Sequence, residues 1–144
     1  MSIDLNIGFI GLGNVGSKLA NSILHGGYNL FIYDIDKSKG INLCKEGAIF
    51  SDSLEDLTKC ATIIITCLPS PKAVSDVLEG EKGIARHLDH RHLWIEMSTT
   101  DEQEMIRLSN LVKLNDAETL EAPVTGGQHR AETGNISILV GGDR

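Results

Sequence analysis

Leu5-Asn6-Ile7-Gly8-Phe9-Ile10-Gly11-Leu12-Gly13-Asn14-Val15-Gly16 is the stretch on which the reading of this chain turns. Leu5 to Ile10 is a short apolar run of strand type, and glycines follow at 11, 13 and 16. From Asn14 to His25 the pattern becomes helical. Val15, Leu19 and Ile23 fall four apart with Ala20 and Leu24 beside them, which makes one stripe to bury against a sheet. Gly26-Gly27 ends this helix, and Leu30 to Tyr33 reads as a second strand. A strand, a glycine turn, a helix and a strand in direct succession form a βαβ unit.

Each glycine of such a GxGxxG turn has its own physical task. Gly11 permits the tight turn, Gly13 lets a pyrophosphate approach the backbone, and Gly16 lets helix and strand pack closely. The free N–H groups and positive dipole end of the helix then face the phosphates. Leu12, Asn14 and Val15 complete the expected cofactor loop. Asp34 stands at the end of the second strand, placed to accept the ribose hydroxyls of an adenosine and to repel a 2′-phosphate. Ile35 follows where an arginine would bind such a phosphate, so NAD is favoured over NADP. Lys37 and Lys39 argue the other way and are read as a solvated first helical turn. A methyltransferase loop would read GxGxG; FAD stays open on the loop alone.

The remaining chain continues the alternation. Helix is expected at 37–46 with Asp36 as N-cap and Gly47 as terminator, at 72–78, and at 101–113 behind a Thr100…Gln103 capping box. Strands are expected at 48–50, 61–68, 93–96, 119–122 and 136–140. Ala61 to Leu68 (ATIIITCL) is apolar on both alternating faces, which suits a central parallel strand covered on both sides. The fold expected is α/β: a Rossmann-type doubly wound, mainly parallel sheet with helices on both faces, forming one dinucleotide-binding domain over residues 1–144.

Composition narrows the function classes. The 144 residues carry 20 acidic and 13 basic side chains, a net charge of -7, with no long basic block. Sequence-independent nucleic-acid binding is therefore disfavoured. No stretch approaches the roughly 20 apolar residues that span a bilayer, and Met1-Ser2-Ile3-Asp4 has no basic leader, so no membrane association is expected. Cys44, Cys60 and Cys67 are odd in number without CxxC spacing, which reads as reduced, buried thiols in a cytoplasmic protein. A mitochondrial matrix location would require a transit peptide already removed. His87, His90 and His92 with Asp89 lack a helper set for zinc, and no metal site is expected.

Three later segments combine with the glycine turn. They are Cys67-Leu68-Pro69-Ser70, then Glu96-Met97-Ser98-Thr99-Thr100, then Glu121-Ala122-Pro123-Val124-Thr125-Gly126-Gly127 running on to Gly141-Gly142-Asp143. Together they resemble the N-terminal domain of the β-hydroxyacid dehydrogenases, the 3-hydroxyisobutyrate dehydrogenase-like and 6-phosphogluconate dehydrogenase-like enzymes. The resemblance implies that Leu68, Pro69 and Thr99 lie along the cofactor, with Ser70 beside them. It implies that Ser98 and the Thr125-Gly126-Gly127 loop hold the carboxylate of a small hydroxy-acid substrate. Val15, Leu19, Glu96, Glu121 and Gln128-His129-Arg130 depart from the family pattern, and Arg130 is expected at the surface.

The activity so implied is hydride transfer between a nicotinamide cofactor and a small hydroxy acid or semialdehyde. The family's proton-transferring lysine lies in an all-helical C-terminal domain, and none of the eight lysines here sits in a matching motif. No catalytic residue is therefore assigned in this chain, which alone should bind cofactor but turn over poorly. Its partner would be that missing C-terminal domain or a second subunit, with homo-oligomers favoured by the apolar patch left behind. The alternative is a non-catalytic dinucleotide-sensing or interaction module.

Overall fold

In the computed structural model, which describes residues 3–142, the first apolar run lies in strand β1 (Ile3–Ile10) and the stripe after it in helix α1 (Gly16–His25). The helix begins two residues later than its periodicity suggests, because Gly11 to Val15 remain an open turn. Strand β2 (Tyr28–Tyr33) returns parallel to β1, with Ile10 opposite Tyr33. Asp36 then caps as expected, accepting the Ser38 N–H at 3.0 Å. The expected helix is split, however, into a 3-10 turn (Lys37–Gly40) and α2 (Ile41–Lys45). Buried Gly40 packs so close to the Phe50 ring that an added Cβ would stand 2.5 Å from it.

Strand β3 (Ile49–Phe50) is followed by a helix that hydrophobic periodicity does not announce, α3 (Leu54–Cys60). Its start signal was present in Ser53-Leu54-Glu55-Asp56. Ser53 Oγ accepts the Asp56 N–H at 3.0 Å and donates to its carboxylate at 2.7 Å. Strand β4 (Ile63–Thr66), α4 (Pro71–Glu79), β5 (Leu93–Glu96), α5 (Glu102–Lys113) and β6 (Glu118–Glu121) complete the alternation. Asp101, not Thr100, caps α5 by accepting the Gln103 N–H at 2.8 Å. The Thr100 hydroxyl is buried and has no hydrogen-bond partner among the described residues.

All six strands run parallel in the order β3-β2-β1-β4-β5-β6. Alternating side chains supply two cores. Ile7, Phe9, Leu30, Ile32 and Ile65 meet α1 and α2 on one face. Ile10, Ile64 and Trp94 meet α3, α4 and α5 on the other. The doubly wound arrangement is thus as the β-branched Ile63-Ile64-Ile65 run requires, since both of its faces are covered.

The last expected strand is displaced from the sheet. Residues 136–140 do not extend it; β8 (Ser137–Ile138) instead pairs antiparallel with β7 (Val124–Thr125) in a small ribbon. Between them α6 (Gly127–Glu132) packs the fully buried Ala131 into the α1 core, and Ser22 Oγ reaches the Ala131 carbonyl at 3.4 Å. The edge of β6 is met by Gly141, which exchanges both backbone hydrogen bonds with Glu121. Asp143, the end of the final motif, lies outside the described residues.

The thiols are a correction as well. Cys44 and Cys60 are exposed and Cys67 half-buried, because short α2 and α3 each bury one stripe and turn the cysteines outward. His92 is buried, its Nε2 donating to the Thr58 carbonyl at 3.0 Å and its Nδ1 accepting the Asp89 N–H at 3.0 Å. Among the described residues no helix is long and apolar enough to cross a membrane.

Candidate functional site

The strand order reverses between β1 and β4, and there the loops after the two strands touch. Gly11 sits at φ +100°, and a Cβ on it would fall 2.2 Å from the Cys67 carbonyl oxygen. Gly16 is equally constrained, since its Cβ would lie 2.1 Å from the Gly11 carbonyl oxygen. Gly13 differs from both. A Cβ there would meet nothing within 4 Å. Val15 precedes α1 without a side-chain cap, and among the described residues the amides of Gly13, Asn14, Val15 and Gly16 have no protein acceptor. Open space beside unsatisfied helix-start donors is the geometry that a diphosphate fills.

These donors face a cleft of about 390 Å³ at the carboxyl ends of the strands. Of the residues expected at the cofactor, Gly13, Asn14, Val15, Leu68, Pro69 and Thr99 line it, and so does Ser98, expected at the substrate. Gly11 and Leu12 lie buried beneath. Asp34 is only 9% exposed. Its Oδ2 accepts the Leu12 N–H and its Oδ1 the Asp36 N–H, both at 2.8 Å. The acid therefore clamps the glycine loop to the end of β2. Each oxygen retains lone-pair capacity for a hydroxyl donor. Ile35 beside it is 94% exposed, an apolar side chain with no protein to cover it.

Lys39 is exposed in its turn, as a solvated turn residue should be, and also lines the cleft. The 3-10 turn after Asp36 sets it at the rim of the cleft, and helical periodicity alone would not have placed it there. Met97, Cys67 and Val124 are further wall residues that the sequence reasoning did not single out. Cys67 and Met97 directly follow strand ends, which was the available signal, whereas Val124 opens β7.

The far wall is braced from below. Ser98 is buried, and its Oγ accepts the Leu68 N–H at 2.7 Å. Its own N–H donates to Glu96 Oε1, while Glu96 Oε2 accepts the Thr66 hydroxyl at 2.7 Å. Trp94 Nε1 donates to that same hydroxyl at 2.9 Å. Burial pushes the Glu96 carboxyl above its ordinary range against the hydrogen bonds from Ser98 and Thr66. Burial first, then the Glu96 charge, raises the Cys67 thiol to about 11, so this sulfur is not a thiolate at neutral pH. Ser70 is a helix cap, its Oγ accepting the Ala73 N–H at 3.1 Å.

Thr125, Gly126 and Gly127 are exposed on β7 and the start of α6, outside the lining of this cleft, where only the adjacent Val124 reaches. Gly126 and Gly127 adopt φ +122° and +74°. Arg130 is exposed, and its Cδ packs over Gly126, where a Cβ would stand 2.7 Å away. Gly13, Asn14, Val15, Leu68, Pro69, Ser98 and Thr99 thus share one cleft, while Gly11, Leu12, Asp34 and the Thr125-Gly126-Gly127 loop lie outside its lining.

Residues 6–144 match the model of the NAD binding domain of 6-phosphogluconate dehydrogenase. The chain is 35% identical over 138 residues to the oxidoreductase YkwC of Bacillus subtilis, covering 96% of this chain and 48% of that protein. It is 36% identical to mitochondrial 3-hydroxyisobutyrate dehydrogenase of Rattus norvegicus, covering 94% of this chain and 41% of that enzyme. The solved structure of Psf3 in complex with NADP+ and 2-OPP superposes with a TM-score of 0.92 at 25% identity, over 95% of this chain and 49% of its own. The chain spans less than half the length of these relatives, in the half that carries the glycine turn. A 3-2-1-4-5-6 parallel sheet, an uncapped helix start at the reversal point and a match over nearly every residue agree: this chain belongs to the family of 6-phosphogluconate dehydrogenase-type NAD-binding domains.

Proposed function

We propose that this chain is the cofactor-binding half of an oxidoreductase that moves hydride between NAD and a small hydroxy acid or semialdehyde, as 3-hydroxyisobutyrate dehydrogenase-like enzymes do. The observation that carries this is the set of unpartnered amides at the start of α1 around the open position of Gly13. These amides hold the diphosphate. Leu12 and Gly11 shape the turn, and Asp34 takes the ribose hydroxyls on its remaining lone pairs. Ile35 lies against the adenine face, and its apolar, uncharged side chain favours NAD over NADP. Lys39 in the cleft wall is the counterweight.

Leu68, Pro69 and Thr99 line the nicotinamide half. Bound there, the nicotinamide supplies a hydride acceptor or donor at its C4. Ser98 and the Thr125-Gly126-Gly127 turn orient the substrate carboxylate, the glycine amides being open to an anion. Proton transfer to the substrate oxygen falls to a lysine of a second, all-helical segment or subunit, so this chain alone binds cofactor without efficient turnover. Ile138, Leu139 and Val140, exposed at 47%, 63% and 67%, form the apolar ground for that segment or for self-association. Three unpaired thiols suit a reducing compartment, the cytoplasm or the mitochondrial matrix.

Titration with NADH, NADPH, FAD and S-adenosylmethionine, read by thermal shift, tests the assignment. NADH at a hundredfold excess over its dissociation constant should add about 2.7 kcal/mol of stability. Stabilisation by FAD or S-adenosylmethionine alone would overturn it.

A further inference from the structure

We propose that Glu96 is a positioning residue for the nicotinamide half of the cleft, holding the Ser98–Thr99 turn directly and the Leu68–Pro69 loop through Ser98. The proposal rests on the cleft being a dinucleotide site. In a 3-2-1-4-5-6 sheet the second mononucleotide half is built on β4, β5 and β6. Glu96 closes the middle one of these three strands with its side chain fully buried. Among the described residues no lysine or arginine forms an ion pair with it.

A buried carboxylate without a cation is expensive unless its oxygens are hydrogen-bonded. Both are. Thr66 already accepts the Trp94 indole N–H, so its own proton is free for Glu96 Oε2. Oε1 takes the Ser98 N–H, and the Ser98 hydroxyl oxygen in turn takes the Leu68 N–H. One carboxylate therefore links the ends of β4 and β5 to both cleft-lining turns. The strands do not depend on it. Met97 N–H to the Thr66 carbonyl and Ala122 N–H to the Glu96 carbonyl, each at 2.8 Å, maintain the ladder through backbone atoms. An apolar residue would serve the core as well or better. What the acid adds is a fixed position for Ser98 and Leu68. Burial of the site and then Glu121, in register with Glu96 on β6, raise the Glu96 pKa, and the hydrogen bonds from Ser98 and Thr66 oppose them.

Glu96→Gln and Thr66→Val test this, the second leaving the carboxyl group and every cleft-lining residue in place. Amide hydrogen exchange is followed at Leu68 and Ser98, and NADH is titrated beside ADP-ribose, which lacks the nicotinamide ring. In both variants the two amides should exchange about tenfold faster, as expected for one lost charge-assisted hydrogen bond. NADH affinity should fall about tenfold while ADP-ribose changes less than about twofold. Unchanged protection at Leu68 and Ser98, or equal weakening of both nucleotides, overturns the proposal. Failure of the unsubstituted chain to bind either nucleotide overturns the dinucleotide reading itself, while the exchange pattern still decides whether the brace exists.

Discussion

A side chain at Gly13 would stand in open space, whereas one at Gly11 would strike the Cys67 carbonyl. The fold therefore demands glycine at 11 but not at 13, where the proposed diphosphate would supply the demand. Gly13→Val should abolish NADH binding in a fluorescence titration and leave the melting temperature within a few degrees of the parent. Retained affinity would show that no phosphate lies there. Asp34 clamps Leu12 and Asp36 and, in the proposed pose, also takes the ribose hydroxyls. Asp34→Ala should cost roughly 1.5–3 kcal/mol of stability, the worth of hydrogen bonds to a charged group. It should weaken NAD more than NADP, because the ribose acceptor and the repulsion of a 2′-phosphate vanish together. Equal losses would remove the ribose argument.

At the level of elements, α4 and α5 are joined by Arg107, which donates to Glu79 at 3.0 Å and to Glu104 at 2.7 Å. The Arg107 guanidinium, helped by Ser75, holds the Glu79 carboxyl down at about 2. A carboxyl whose folded pKa is depressed stabilises the fold above its unfolded value and loses that contribution as pH falls through the folded one. Thermal melts from pH 6 to pH 2 should show the decline, and Arg107→Gln should flatten it. The cluster is solvent-screened, so the gap at pH 6 is expected to be small and to shrink with added salt. The same level explains which elements were legible. Helix α1 and strand β4 carry strong periodic signals, while seven-residue α3 carries little more than its Ser53 capping box.

For the whole molecule, the parallel sheet buries both faces yet leaves apolar side chains of 138–140 beside its β6 edge. The chain in isolation should therefore associate, with its mass by size-exclusion and light scattering rising with concentration. Leu139→Ser combined with Val140→Ser should return it to monomer. A strictly monomeric parent chain at high concentration would argue against this face as a docking surface.

The amino-acid order by itself determined the alternation of strands and helices, the glycine turn and the acid after β2. These are local signals, written in periodicity and in backbone demands that one residue type meets. Tertiary structure alone decided that Lys39, Met97 and Val124 share a wall with the glycine turn, because chain segments far apart converge only once the strands are ordered. It alone decided that residues 136–140 leave the sheet for an antiparallel ribbon, since Gly141 meets the β6 edge and β7 offers β8 a partner. The placement of Glu96 beneath two cleft loops was equally hidden, because a strand-end acid reads the same in sequence whether solvent or Thr66 and Ser98 receive it.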